Sequence, residues 1–264
     1  MNALLIDHVS KNFGGVQVLS NIFIELEEGK RLAIIGPNGA GKTTLINVIS
    51  GVLKPSTGRI LLFGEDMTRH SPYLRCRKGL SRTFQILSLF PSLTVLESLL
   101  LSVMPVRSDQ LSLLRPIGMF SHLYHTSQRL LEQVGLWEKR EMIVCNLSHG
   151  EQKLLEMAMS LSQAPKLMLL DEPMAGLSPG ETVLISSVIR SLPSDVAMII
   201  VEHNVDAALE LAGRVVVLNQ GMILAEGLPH EVRKEPKVQE VYLGTEESWR
   251  SWKDFCKKRG ELHS

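Results

Sequence analysis

The chain has little cysteine, no net charge and no long apolar run. Its 264 residues include three cysteines, Cys76, Cys145 and Cys256, far apart and without a C-x-x-C pair. That spacing fits neither a metal site nor a disulfide framework, and it points to a reducing compartment. Lys and Arg number 28, as do Asp and Glu, so the formal net charge is +0. No broad attraction to nucleic acid or acidic lipid follows, and no nucleic-acid partner is expected. The N-terminus lacks a basic segment followed by a long apolar one, and no apolar run approaches the ~18 residues of a membrane-crossing helix. By itself the chain is expected neither to span a membrane nor to be exported, although it could sit against a membrane protein. Hydrophobic residues make up 44%, enough for one large domain or one domain with an inserted lobe.

What the chain does have is the stretch Gly36-Pro37-Asn38-Gly39-Ala40-Gly41-Lys42-Thr43-Thr44, which fits G-x-x-x-x-G-K-[ST]. The apolar run Arg31 to Ile35 leads in, and a helical pattern of Leu45, Ile46, Val48, Ile49, Val52 and Leu53 follows. Strand, Gly-rich turn, then helix is the context in which this motif cradles a phosphate chain. Glycines let backbone N–H groups turn inward on an anion, and the helix N-terminus adds partial positive charge. Lys42 can reach the outer phosphates and Thr43 can hold Mg²⁺.

Other segments place further candidates around this loop. Residues 3–9 and 18–27 read as strands, with Phe13 between them beside Gly14-Gly15. Phe13 is either a base-stacking aromatic or a small-core residue. Residues 59–64 read as a strand returning to the early antiparallel sheet, 72–79 as a short basic helix, and 81–85 as a short strand ending in Gln85. Gln85 is either a Mg²⁺ contact from a mobile segment or a loop glutamine. Residues 86–135 change character: an apolar, proline-interrupted lip over 86–93, then helices over about 94–104 and 121–135. They read as part of an inserted helical lobe whose lip is either core or a docking surface.

Ser148-His149-Gly150-Glu151 opens a helix with a capping box, which is either a plain cap or a second anion site. Lys166 to Leu170 reads as a strand buried on both faces, hence within a parallel sheet, and ends in Asp171-Glu172-Pro173. Ligands bind at such carboxyl ends in open α/β sheets. Asp171 suits a Mg²⁺ shell and Glu172 a general base that orients water. Residues 196–201 form another buried strand, followed by Glu202-His203-Asn204; His203 is either a γ-phosphate contact or a structural histidine. Strands are expected over 214–218 and 222–226, and a helix over 229–242. In the last twenty residues a helix starting near Thr245 carries Trp249, Trp252 and Phe255 on one face, a stripe suited to packing.

This set of motifs resembles the ATP-binding cassette ATPases, the motor subunits of ABC transporters, over about residues 3–243. In the family's order, Phe13 falls in the adenine-stacking loop and Gly36 to Thr44 is Walker A. Gln85 is the Q-loop glutamine, and Leu147 to Glu151, with Ser148 and Gly150, is the signature. Leu167 to Asp171 is Walker B, followed by the catalytic Glu172; Ala175 to Ser178 is the D-loop and His203 the switch histidine. A phosphate loop alone leaves kinases and GTPases open, whereas the full set does not. His149 stands where the family usually has glycine, and Ser178 where aspartate is common. The finer resemblance is to branched-chain amino acid importer ATPases and their urea and short-amide relatives, carried by Ser81 to Gln85, Val201 to Asn204, Ala225-Glu226-Gly227 and Pro236 to Gly244.

The resemblance implies an α/β P-loop NTPase fold. A central, mostly parallel sheet would carry an N-terminal antiparallel β-subdomain and an inserted helical subdomain. Residues 1–244 would form the ATPase domain, with the helical part at about 86–160, and 245–264 a helical tail. ATP and Mg²⁺ are the implied cofactors, with Thr43, Gln85 and Asp171 toward the metal, and Lys42, Glu172, His203 and Gln85 in catalysis. The implied partners are polytopic permease subunits, a second ATPase subunit (identical or paralogous) and, indirectly, a substrate-binding protein. The implied location is peripheral, on the cytoplasmic face of the cell membrane. A soluble ABC ATPase is the rival; chromosome and repair members carry a long coiled coil where this chain has only residues 86–146, without sustained heptads.

Overall fold

A computed structural model describes residues 1–83, 89–104, 121–202 and 205–243. Gln85, His203, the lip residues 86–88 and the expected tail helix lie outside the described residues.

The chain opens with β1 (Asn2–Phe13) and β2 (Val16–Glu27), paired antiparallel from Asn2↔Glu27 to Phe13↔Val16. Gly14 and Gly15 turn this hairpin with φ of 51° and 92°, the left-handed pair that a two-residue turn demands. β3 (Arg31–Ile35) leads into α1 (Lys42–Ser50). β4 (Thr57–Leu62) then pairs with β1, as expected, and β5 (Glu65–Asp66) extends that sheet. Next come α2 (Pro72–Arg77), β6 (Leu80–Arg82), α3 (Val95–Val103), α4 (Ser121–Gln133), α5 (His149–Leu161) and β7 (Leu167–Asp171). The remaining described residues form α6 (Pro179–Ser191), β8 (Ala197–Val201), α7 (Val205–Leu211), β9 (Arg214–Asn219), β10 (Met222–Gly227), α8 (Pro229–Val232) and α9 (Pro236–Leu243).

Two sheets result. The first has the order β2-β1-β4-β5 and is antiparallel; the second has the order β10-β9-β3-β8-β7-β6 and is parallel except for β10 at its edge. The period of two along each strand sorts the core. Leu167, Leu169, Ala197, Ile199, Val201, Val216 and Leu218 face one way, toward α1 and the antiparallel sheet. Met168, Leu170, Met198 and Ile200 face the other way, onto α3, α4, α5 and α6. Ala33, Ile35, Val215 and Val217 pack instead against α7, α8 and α9. Strands covered on both faces read as unbroken apolar runs, which is why β7 and β8 are legible in the sequence.

Among the described elements longer than two residues, three expectations fail. The helix expected over 229–242 is two helices, because Pro236 lacks the N–H that would continue the first and instead starts the second. α6 and α7 were not anticipated. The signal for α6 was present in Ser178-Pro179-Gly180-Glu181, a capping box with proline at the first helical position.

Arg75 is fully buried in α2 and braces the far end of α1. Its Nη1 donates to the carbonyls of Val48 (2.7 Å) and Ile49 (2.5 Å), and its Nη2 to those of Met67 (2.7 Å) and Thr68 (3.2 Å). A cation at a helix C-terminus meets the negative end of the helix dipole and satisfies the last carbonyls. Burial pushes its pKa down to about 10, so it remains charged at neutral pH. Arg75→Met should cost about 3 kcal/mol, because those carbonyls lose their charged donor. Urea denaturation of the full chain measures this; a loss under about 1 kcal/mol would mean the carbonyls find other partners.

Candidate functional site: a glycine-lined cleft at the strand ends

The loop between β3 and α1 owes its shape to glycine. Gly36, Gly39 and Gly41 have φ of 159°, 78° and 104°. A Cβ on Gly36 would stand 2.1 Å from the carbonyl oxygen of Leu218, so β9 and the loop approach each other only without a side chain there. Gly41 is the N-cap of α1 and supplies no side-chain acceptor to the first N–H groups of the helix. That is the arrangement expected where an anion takes the place of a cap.

Lys42 is the first residue of α1 and only 5% exposed. Its ammonium folds back to donate to the carbonyls of Gly36 (2.7 Å) and Pro37 (3.0 Å). Burial lowers its pKa, and the charges of Glu172 and then Asp171 oppose that shift. A cleft of about 340 Å³ is lined by Val18, Asn38, Gly39, Ala40, Gly41, Lys42, Thr43, Thr44 and Glu172. The glycine-rich backbone, the Lys42 ammonium, the hydroxyls of Thr43 and Thr44 and the Glu172 carboxylate form a set that fits a polyphosphate with a divalent cation.

The acids sit on well-fixed backbone. β7 pairs with β8 through Asp171↔Val201, and the N–H of Glu172 donates to the carbonyl of Val201 at 2.9 Å. Glu172 has φ 51°, a left-handed conformation that costs a non-glycine residue about 1 kcal/mol and clusters at functional positions. The turn is held from outside: Nζ of Lys153 on α5 donates to the carbonyls of Glu172 (3.0 Å) and Ala175 (2.8 Å). Glu202, 2% exposed, accepts from the N–H of Met174 at 2.8 Å. Asp171, 3% exposed, is ion-paired at 2.8 Å with Arg82 at the end of β6.

The second expected anion site lies elsewhere. Ser148, Gly150 and Glu151 open α5 and do not line the cleft. Oγ of Ser148 and N–H of Gly150 both donate, at 3.2 Å, to Oε1 of Glu181 on α6. The capping-box reading is visible, and the outermost donors of this helix start bind the carboxylate of Glu181. Glu151 itself serves the cap, accepting from the N–H of Ser148 at 3.0 Å and pairing with Lys139. His149 lies beside Gly176, so one departure from the family pattern meets the D-loop segment. Ser178, the other, caps α6 and donates to Glu181 at 2.8 Å. Phe13 is 43% exposed at the tip of the β1–β2 hairpin with Lys11 over its ring, and it is not among the cleft-lining residues. Reasoning from sequence missed Arg82, Lys153, Glu181 and Glu202; of these only Glu181 carried a local signal, as the acid of a capping box.

Comparison with known proteins gives a consistent result. The model of the ABC transporter family matches residues 19–175, and that of the branched-chain amino acid ATP-binding cassette transporter matches residues 222–248. The high-affinity branched-chain amino acid transport ATP-binding protein LivG of Salmonella typhimurium is 35% identical over 256 residues, covering 91% of this chain and 97% of that protein. The corresponding protein BraF of Pseudomonas aeruginosa is 34% identical over 252 residues, with the same two coverages. Among solved structures, the ADP conformation of MJ1267, an ATP-binding cassette of an ABC transporter, superimposes with a TM-score of 0.81 at 33% identity, covering 93% of this chain and all of that one.

The N–H and hydroxyl of Ser178, the hydroxyl of Ser148 and the N–H of Gly150 hold the carboxyl of Glu181 down from its ordinary 4.5 to about 2. A folded-state pKa below the unfolded one contributes stability that is present above about 4.5 and lost as pH falls toward 2. Glu181→Gln should therefore flatten the acid-unfolding profile across that window. Circular dichroism of both proteins against pH measures it; superimposable profiles would count against the contact.

Proposed function

The chain belongs to the ATP-binding cassette transporter family, and from that premise we propose how its residues serve ATP hydrolysis that drives import through a membrane permease. It is an ATP-binding, ATP-hydrolysing subunit, like its branched-chain amino acid transport relatives. One observation carries the site assignment: the glycine loop, Lys42 and Glu172 meet in one cleft, and Asp171 directly precedes Glu172 at the end of β7.

In this reading the backbone N–H groups of residues 36–44 and the Lys42 ammonium bind the phosphates, and Phe13 stacks on the base. Thr43, Asp171 and Gln85 hold Mg²⁺, which when bound draws negative charge from the phosphate oxygens. Glu172 orients the attacking water and accepts its proton. Lys42 and His203 stabilise the charge that develops on the phosphoryl oxygens. Ser148, Gly150 and Glu151 serve the nucleotide of a second subunit, identical or paralogous, in a head-to-tail dimer. That Ser148 and Gly150 already donate to a carboxylate supports them as anion donors.

Residues 1–244 act as the cassette, with the helical subdomain at about 86–160 and residues 245–264 a tail. The subunit sits peripherally on the cytoplasmic face of the cell membrane against polytopic permease subunits, with a substrate-binding protein as an indirect partner. No helix among the described residues is long and apolar enough to cross a membrane. Names of the relatives favour a branched-chain amino acid as solute; another hydrophobic amino acid, urea or a short amide is the alternative. Phe90, 56% exposed beside the helical lobe, supports docking by the apolar lip.

Glu172→Gln should lower ATP turnover on the order of 10²–10⁴-fold while ATP binding persists. With ATP its mass by light scattering should double, alone or once the paralogous subunit is added. Turnover near wild type would remove Glu172 as the base. Recovery of polytopic permease subunits with this variant from solubilised native membranes tests the transport role; recovery of soluble partners alone would favour a soluble ABC ATPase. Phe90→Asp should leave ATP turnover within a few-fold while abolishing coupled uptake, and intact uptake would place docking elsewhere.

A further inference from the structure

Asp171 is a carboxylate placed almost wholly out of water, with 2% of its side chain exposed. A buried ion is tolerated only beside a counter-charge and fixed donors. Arg82 supplies both. β6 pairs in parallel with β7 through Arg82↔Leu169, and Asp171 follows two residues on, so its side chain leaves the same face of the sheet, toward α1. Arg82, with 10% of its side chain exposed, spans that gap. Its Nη2 donates to Oδ2 of Asp171 at 2.8 Å. Its Nη1 donates to Oδ1 of Asn47 at 2.7 Å and Oγ of Ser50 at 3.0 Å, both on α1. One planar guanidinium thus ties the acid of β7 to the helix whose first residues are Lys42 and Thr43. Lysine offers no such fork.

The reading of Asp171 as a metal contact gives Arg82 no task. We propose that Arg82 is a positioning residue that acts as the resident counter-cation of Asp171, keeping the buried carboxylate neutralised between turnovers and fixed to α1 in register with Thr43. This rests on the assignment of Asp171 and Thr43 as Mg²⁺ contacts made above. Mg²⁺ and the arginine then share one anion, each compensating part of its charge. The wild-type site is stable without metal because one cation never leaves. If the arginine is removed, the metal becomes the main remedy for the buried charge.

The test is thermal unfolding of the full chain without nucleotide, in EDTA and in saturating Mg²⁺. Wild type should have nearly the same midpoint in both. Arg82→Met should lose roughly 5–10 °C in EDTA and regain at least half of that in Mg²⁺. Arg82→Met/Asp171→Asn, with no charge left to compensate, should recover in EDTA and ignore Mg²⁺. Arg82→Lys, which keeps charge but loses the fork, should fall between. A loss equal in EDTA and Mg²⁺ and unrelieved by Asp171→Asn would make Arg82 a mere strut and overturn the proposal, as would no loss. If Arg82→Met is insoluble, the double variant should be soluble, and equal insolubility would also overturn it. Binding of a fluorescent ATP analogue to wild type and Lys42→Ala, with and without Mg²⁺, separates the two readings. If wild-type binding needs neither Mg²⁺ nor Lys42, the site assignment fails. If it needs both while the Arg82 variants show no metal-dependent midpoint, only the arginine proposal fails.

Discussion

The molecule is organised by the need to hold charge where a parallel sheet ends. Five parallel strands point their carboxyl ends the same way, and there the chain leaves the sheet ladder and turns. Asp171 and Glu172 stand at one of these ends, both nearly removed from water. Neither would survive there alone, because an unpaired buried carboxylate costs several kcal/mol. Arg82 of β6 pairs with Asp171, while the Lys42 ammonium of α1 lines the same cleft as Glu172 and donates to the loop carbonyls of Gly36 and Pro37. The glycine loop, α1, β6 and β7 must therefore sit in one fixed arrangement for the charges to close.

α1 is the element through which this arrangement is held. Its apolar side, Leu45, Ile46, Val48 and Ile49, fills the space between the parallel sheet and the antiparallel one. Its first residue lines the cleft, Asn47 in its middle and Ser50 at its end accept from Arg82, and the carbonyls of Val48 and Ile49 rest on Arg75. A helix pinned at start, middle and end can place Lys42 with little freedom, and electrostatic catalysis depends on such preorganised charge. The strained φ of Glu172 is tolerated for the same reason: Lys153, Glu202 and the Val201 carbonyl over-determine the turn that carries it.

Much of this was legible before any coordinates. Gly36 to Thr44 declares itself because only glycine tolerates these backbone angles and close approaches. β7 and β8 declare themselves because burial on both faces leaves an unbroken apolar run that ends abruptly in acids. Local pattern also marked the start of α5, and the same capping-box pattern at Ser178 was there to be read. The single helix expected over 229–242 failed because a helical apolar period continues through Pro236 although the hydrogen-bond ladder cannot.

Local chemistry, then, was determined by the sequence: which loop can bind phosphate, which strands are buried, which acids end them. These depend on neighbours within a few residues, whose backbone preferences and apolar period act at short range. Partnership was decided by the tertiary structure alone. Arg82 meets Asp171 across 89 positions, Lys153 reaches Glu172 across 19, and Ser148 reaches Glu181 across 33. No periodicity encodes such pairs, because they arise from the order in which strands enter the sheet and from which helix face each strand covers.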